Sequence, residues 1–180
     1  MAAGWHRPST ALQQRERAVV SAPLRFVLAR SDVFAYFYSD TSPSLQALRA
    51  SGLSVGALTN GNCDVRLHAQ VSALFDFAIG AADAGAAKPK PAPFWMGAAA
   101  AGCNPAECVH VGDDVVTDLT GALEAGFRAI LVSRAEQMPR KPHDLEALAA
   151  IERDPDRWRE VATLEEAAKV IQEWRAADCA

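Results

Sequence analysis

Basic excess, aromatic richness and long apolar runs are all missing from this sequence, and each absence narrows what it can be. Eighteen Lys and Arg stand against 22 Asp and Glu, a formal charge of −4. That balance excludes the electrostatic footprint of a nucleic-acid binder and a polybasic membrane patch. No apolar stretch approaches the roughly 18 residues of a spanning helix. Residues 1–17 are polar, carry Arg7, Arg15 and Arg17, and lack the apolar core of a secretory signal. Cysteine is scarce, with Cys63, Cys103, Cys108 and Cys179 too scattered for a disulfide framework. The pair at 103 and 108 has no second Cys/His pair at zinc spacing. Repeats of 20–50 residues are lacking, and so is a G-x-G-x-x-G dinucleotide turn. A cytoplasmic protein is expected, with no nucleic acid or membrane as partner and an undetermined oligomeric state.

What is present is an ordinary globular composition, 50% hydrophobic and 22% charged over 180 residues. One domain with a sizeable core is the expectation at this length. Asp40-Thr41-Ser42-Pro43 can start a helix that carries Leu45 and Leu48 and stops at Gly52. Leu53 to Leu58 reads as a strand running into Thr59-Asn60-Gly61. Val65 to Leu74 suits a helix and Phe75 to Ile79 a strand. Phe94 to Ala101 suits a helix that ends at Gly102. Cys108 to Val111 reads as a strand, Asp114 to Glu124 as a helix closing at Gly126, and Ala129 to Val132 as a strand. A polar loop holding Pro139 and Pro142 leads to a tail helix, Leu164 to Trp174. Trp95, Trp158 and Trp174 fall in stretches read as helical and are taken as packing residues. Strands alternating with helices mean βα units, so the fold class is α/β with a doubly wound, Rossmann-like parallel sheet. Ligands of such sheets bind at the carboxyl ends of the strands.

Three clusters fall beside the strands and loops of such a sheet. In Val111-Gly112-Asp113-Asp114 through Asp118, carboxylates collect where an apolar strand hands over to a helix. Two readings stand: Asp114 as a helix cap with the acids at the positive end of the macrodipole, or a Mg²⁺ site, since a hard cation takes carboxylate oxygens. Thr59-Asn60-Gly61 offers a hydroxyl and backbone N–H groups to phosphate oxygens. Lys88 is held by the proline that follows it. His110, on the strand before the acids, reads as a core histidine. Hydroxyl, ammonium and acid cluster together provide what a phosphoryl group needs for positioning and charge neutralisation.

These segments resemble the haloacid dehalogenase superfamily, in particular its phosphatase branch with a helical cap inserted after the first strand. Leu58-Thr59-Asn60-Gly61 is similar to the family's second motif. Lys88-Pro89-Lys90-Pro91-Ala92-Pro93-Phe94 resembles the third, KPDPxxF, with Lys90 reversing the usual acidic charge. Gly112 to Gly126 resembles the fourth, GDSxxxDxxGAxxAG. The resemblance runs from Ser39 to Val132, with a family-like tail to Trp174. It implies a Mg²⁺-dependent phosphatase acting on a small phosphorylated metabolite. Thr59 and Lys88 would engage the transferred phosphoryl group, Asn60 and Gly61 would line its pocket, and Asp113 with Asp118 would hold Mg²⁺. Asp114, standing where the family often has Ser or Asn, would be a further candidate ligand.

The family's first motif, hhhhDxDxT, supplies an aspartate nucleophile and an aspartate acid–base. Before Thr59 this sequence has only Asp32 and Asp40, eight apart. Residues 1–38 are therefore expected to be a cap remnant or unrelated sequence, and 39–180 the core, with the first strand and most of the cap missing. The alternative to an enzyme is a truncated or non-catalytic relative that binds phosphate and Mg²⁺, or a partner, without turnover.

Overall fold

The computed structural model describes residues 37–61, 64–134 and 140–179. Helix α1 (Thr41–Ala50) leads to strand β1 (Gly56–Thr59), and a 3-10 turn (Val65–Leu67) and α2 (Ala69–Ser72) lead to β2 (Phe77–Gly80). Next come α3 (Ala81–Ala84), α4 (Ala92–Ala101), β3 (Val109–Gly112), a π-helical turn (Val115–Thr120) running into α5 (Gly121–Glu124), and β4 (Arg128–Val132). Helix α6 (Pro142–Ala150), strand β5 (Trp158–Val161) and α7 (Leu164–Asp178) complete the chain. Among the described residues no helix is long and apolar enough to cross a membrane.

All strand pairs are parallel, as the alternation of elements requires. They form two ladders, β1–β2 and β3–β4–β5. Side chains alternate across each strand, and both faces are buried. On one face Ala57, Val109, Val111, Ile130 and Val132 pack with Leu45 and Leu48 of α1 and with Ile171 and Trp174 of α7. On the other, Leu58, Ile79, Ala129 and Leu131 pack with Phe94 and Ala98 of α4 and Ala122 of α5. Each core draws on both ladders, so the strands make one layer between two layers of helix. Burial on both faces is why the strands read as short continuous apolar runs.

Four local details differ from the sequence reading. Val65 to Leu74 is broken at His68, whose backbone is extended (φ −116°, ψ 100°). The expected helix from Asp114 begins as a π turn, in which Leu119 N–H reaches back five residues to the Asp114 carbonyl and Thr120 Oγ1 donates to the Val115 carbonyl. The polar stretch after Pro139 contains α6 and β5. Pro142 opens α6 at a position where a missing N–H costs nothing, and the Asp144 carboxylate accepts from Lys141 N–H. Trp158 lies in β5, not in a helix; its Nε1 donates to the Glu152 carbonyl.

Asp40 precedes α1 but makes no side-chain cap there. Its carboxylate accepts both Arg134 Nη2, at 2.9 Å, and Leu164 N–H, at 2.8 Å. Arg134 also stacks 3.8 Å over the Tyr38 ring. One side chain thus joins the starts of α1 and α7 to the segment leaving β4.

Candidate phosphate site

The three clusters singled out in the sequence meet at the carboxyl ends of β1 and β3. Thr59 ends β1, and its Oγ1 accepts from Gly61 N–H at 3.0 Å, fixing the turn. Asn60 clamps the Lys88 main chain: its Oδ1 accepts from Lys88 N–H and its Nδ2 donates to the Lys88 carbonyl, both at 2.7 Å. The Lys88–Pro89 peptide is cis. Held there, the buried Lys88 ammonium donates to the Leu58 carbonyl at 3.0 Å and to Asp118 Oδ1 at 2.7 Å.

Asp118 is the hub. Its Oδ1 also meets His110 Nε2 at 3.0 Å, while Oδ2 accepts Asp113 N–H at 3.2 Å and Asp114 N–H at 3.1 Å. The carboxylate is tucked beneath the strand end because Gly112 has no side chain: a Cβ there would lie 2.2 Å from Asp118 Cγ. Gly121 performs a similar service for the lysine segment, since a Cβ on it would lie 2.8 Å from Pro89 Cα.

Burial opposes ionisation of Asp118, but the Lys88 charge and the His110 hydrogen bond outweigh it and hold the carboxyl well below the usual range. His110 responds oppositely. Complete burial and then the Lys88 charge push it down to about 4, so it is neutral at pH 7. It stacks edge-on against Phe94, and its Nδ1 has no hydrogen-bond partner among the described residues. The sequence reading of His110 as a core histidine holds for its burial but misses the bond to Asp118. The legible signal was a lone imidazole in an apolar strand that leads into the acid cluster.

Folded His110 resists a proton that unfolded histidine accepts near 6.5, so its contribution to stability is full above that pH and is lost as pH falls toward 4. Between pH 7 and pH 5, unfolding free energy should drop by about 2 kcal/mol without added divalent cation. Urea midpoints measured at the two pH values check this. His110→Gln should flatten the slope.

Asp113 and Asp114 are exposed, and their surroundings differ. Asp114 Oδ1 accepts from Val116 N–H at 3.0 Å and Thr117 N–H at 2.7 Å, capping the π turn. The cap reading therefore accounts for Asp114, and the carboxylate read as a candidate metal ligand is engaged by the backbone. Asp114→Ala should cost about 1 kcal/mol, measurable as a shift in denaturant midpoint. Asp113 reaches the surface, yet partial loss of hydration and the Asp118 charge raise its carboxyl above the ordinary value. Among the described residues, no three His, Cys, Asp or Glu side chains gather as a metal cluster. The three acids share a strand end but do not converge on one point.

Beside Thr59, Asn60 and Gly61 lies a cavity of about 280 Å³. Asp64, Arg66 and Asp83 also line it. Arg66 is tied to both carboxylates, at 2.8 Å to Asp64 and 3.3 Å to Asp83.

A model of haloacid dehalogenase-like hydrolases matches residues 5–126. The chain belongs to that family. The phosphatase MT3486 of Mycobacterium tuberculosis is 36% identical over 124 residues, covering 66% of this chain and 57% of its own length. A phosphoserine phosphatase of Thermus thermophilus is 34% identical over 114 residues, covering 61% and 44%. Among solved structures, a 2-haloacid dehalogenase from Pseudomonas syringae superposes with a TM-score of 0.62 at 33% identity, over 77% of this chain and 54% of that one. A HAD phosphatase from Thermococcus onnurineus gives 0.61 at 28%, over 80% and 65%. The chain spans about half the length of the curated relatives it matches. The family assignment agrees with the motif resemblance and with the parallel α/β fold.

Proposed function

We propose that this haloacid dehalogenase-like chain provides the phosphate-handling side of a Mg²⁺-dependent phosphatase acting on a small phosphate monoester. The observation that supports it most is Lys88, a buried ammonium bonded at once to the β1 carbonyl of Leu58 and to Asp118, with its main chain clamped by Asn60. A cation built into a strand end at this expense in desolvation is suited to neutralising anionic oxygens. Thr59 would donate its hydroxyl to a phosphate oxygen, and the Asn60–Gly61 turn would present the Asn60 backbone N–H, while Gly61 N–H holds Thr59 Oγ1 in place.

The donor set also fits magnesium. This ion is commonly held by one or two carboxylates, with waters and substrate phosphate filling the remaining positions. Asp113 would hold it, with Asp118 behind contributing charge while it fixes Lys88. Bound there, Mg²⁺ would supply Lewis-acid neutralisation of the phosphoryl oxygens. The leaving portion of the substrate would enter the cavity beside Thr59, where Arg66 and its two carboxylates suit a polar group over a hydrocarbon.

No residue is assigned as nucleophile. Of the two aspartates before Thr59, Asp40 is committed to Arg134 and to the start of α7, and Asp32 lies outside the described residues, as do residues 1–36 of the segment read as a cap remnant. The sequence lacks a D-x-D pair before Thr59, and this supports a second reading, binding of phosphate and Mg²⁺ without turnover by these 180 residues. Phosphate release from a generic aryl phosphate, with and without Mg²⁺, separates the two. The first reading expects Mg²⁺-dependent turnover that Asp113→Asn abolishes. Phosphate binding with no turnover would leave the second.

A further inference from the structure

Away from the phosphate site, at the amino end of β3, Cys103 Sγ lies 3.0 Å from Cys108 Sγ. Cys103 follows Gly102, the left-handed residue (φ +66°) that ends α4, and Cys108 immediately precedes β3. The four residues between them are folded tightly. Pro105–Glu107 forms a 3-10 turn, and Glu107 Oε2 accepts both Asn104 N–H, at 2.7 Å, and Asn104 Nδ2, at 2.9 Å. Cys108 is anchored on its other side, its carbonyl accepting Arg128 N–H at 3.0 Å and its thiol meeting the Asn104 carbonyl at 3.3 Å. Cys108 has no exposed surface, whereas Cys103 is half-buried. One sulfur can therefore meet a reagent from solution, and the other waits directly behind it.

We propose that Cys103 and Cys108 form a reversible dithiol–disulfide site, oxidised by small organic disulfides through Cys103. The Cys103 thiolate attacks one sulfur of the reagent, whose S–S bond breaks and releases one thiolate that takes up the Cys103 proton. The Cys108 sulfur then attacks Cys103 Sγ, the mixed disulfide breaks, and the second reagent thiol leaves with the Cys108 proton. Two protein thiols lose two electrons and two protons, and one reagent disulfide becomes two thiols. Bridging needs the sulfurs to close to about 2.0 Å, a movement of roughly 1 Å. The Cys103 sulfur as hydrogen-bond neighbour, and then burial, keep the Cys108 thiol well above the usual range. Exposure sets the order: half-buried Cys103 is the entry point, and Cys108, with no exposed surface, is the resolving thiol, whose ionisation limits the second step.

The test is equilibration of the full folded chain with oxidised and reduced glutathione, followed by alkylation and peptide mapping. The expected product is two hydrogens lighter, joins the peptides of Cys103 and Cys108, and leaves Cys179 alkylated. Its effective concentration should be at least about tenfold higher in the folded chain than in concentrated guanidinium chloride, because the fold has already brought the thiols together. Cys103→Ser should remove the bridge and leave Cys108 without a glutathione adduct. A lasting glutathione adduct on Cys103, a bridge to Cys63 or Cys179, or equal effective concentrations in the folded and denatured chain would overturn the proposal.

Discussion

Asp118→Ala is expected to lower the unfolding free energy by about 3–5 kcal/mol, the largest effect of any single change around the site. The substitution removes more than one contact. It leaves the Lys88 ammonium buried without its counter-charge, His110 Nε2 without an acceptor, and the N–H groups of Asp113 and Asp114 without the oxygen they share. Uncompensated burial of a charge is the dominant cost. Removing both charges should hence be milder than removing one: Asp118→Leu combined with Lys88→Met should recover at least about half of the loss. Denaturant melts of the wild type, both single variants and the double variant provide the cycle. A loss under about 1 kcal/mol for Asp118→Ala would mean that the buried pair does not exist in solution.

The second large effect is expected from adding one methyl group. Gly112→Ala places a Cβ 2.2 Å from Asp118 Cγ and 2.4 Å from Oδ2. Those atoms cannot move aside cheaply, because the carboxylate is pinned from four directions. The added group must therefore push the strand end or displace the hub, at about 2–3 kcal/mol. Displacement should also affect chemistry, since the Asp113 main chain hangs from Asp118 Oδ2. Gly112→Ala is thus predicted to shift the urea midpoint and to weaken Mg²⁺-dependent phosphate binding together. A normal midpoint would show that the space under the strand end is more open than the glycine contacts imply.

Legibility in the sequence followed the physics of burial. Strands covered on both faces leave uninterrupted apolar runs, so Leu58, Val111 and Ile130 announced their strands. Helix starts and stops carried their own signs, such as Gly102 and Gly126 in left-handed conformation (φ +66° and +89°). Strand β5 gave no such sign because it lies at the edge of its ladder, and its Trp-Arg-Glu-Val sequence is only partly covered. The π turn was illegible for another reason: its form depends on how Asp118 and Thr120 bond, which no periodicity records.

The site was readable as a set of residue types but not as a network. Thr59 and the acids could be placed at strand ends, and Lys88 in a loop beside them, from spacing and resemblance. That Asn60 holds the lysine main chain, and that His110 shares Asp118 with Lys88, are tertiary facts. Asp40 illustrates the same limit. It sits where a cap of α1 belongs, yet its carboxylate serves Arg134 and the first turn of α7, more than 90 residues away.

The most direct test of the account is calorimetric titration of the chain with inorganic phosphate in the presence of Mg²⁺, repeated with Thr59→Val and Lys88→Met after circular dichroism shows each variant folded. The wild type is expected to bind saturably, and either variant at least about tenfold more weakly, as follows from losing a charge-assisted or hydroxyl hydrogen bond to an anion. Binding that is absent in the wild type, or equally strong in all three proteins, would contradict the account.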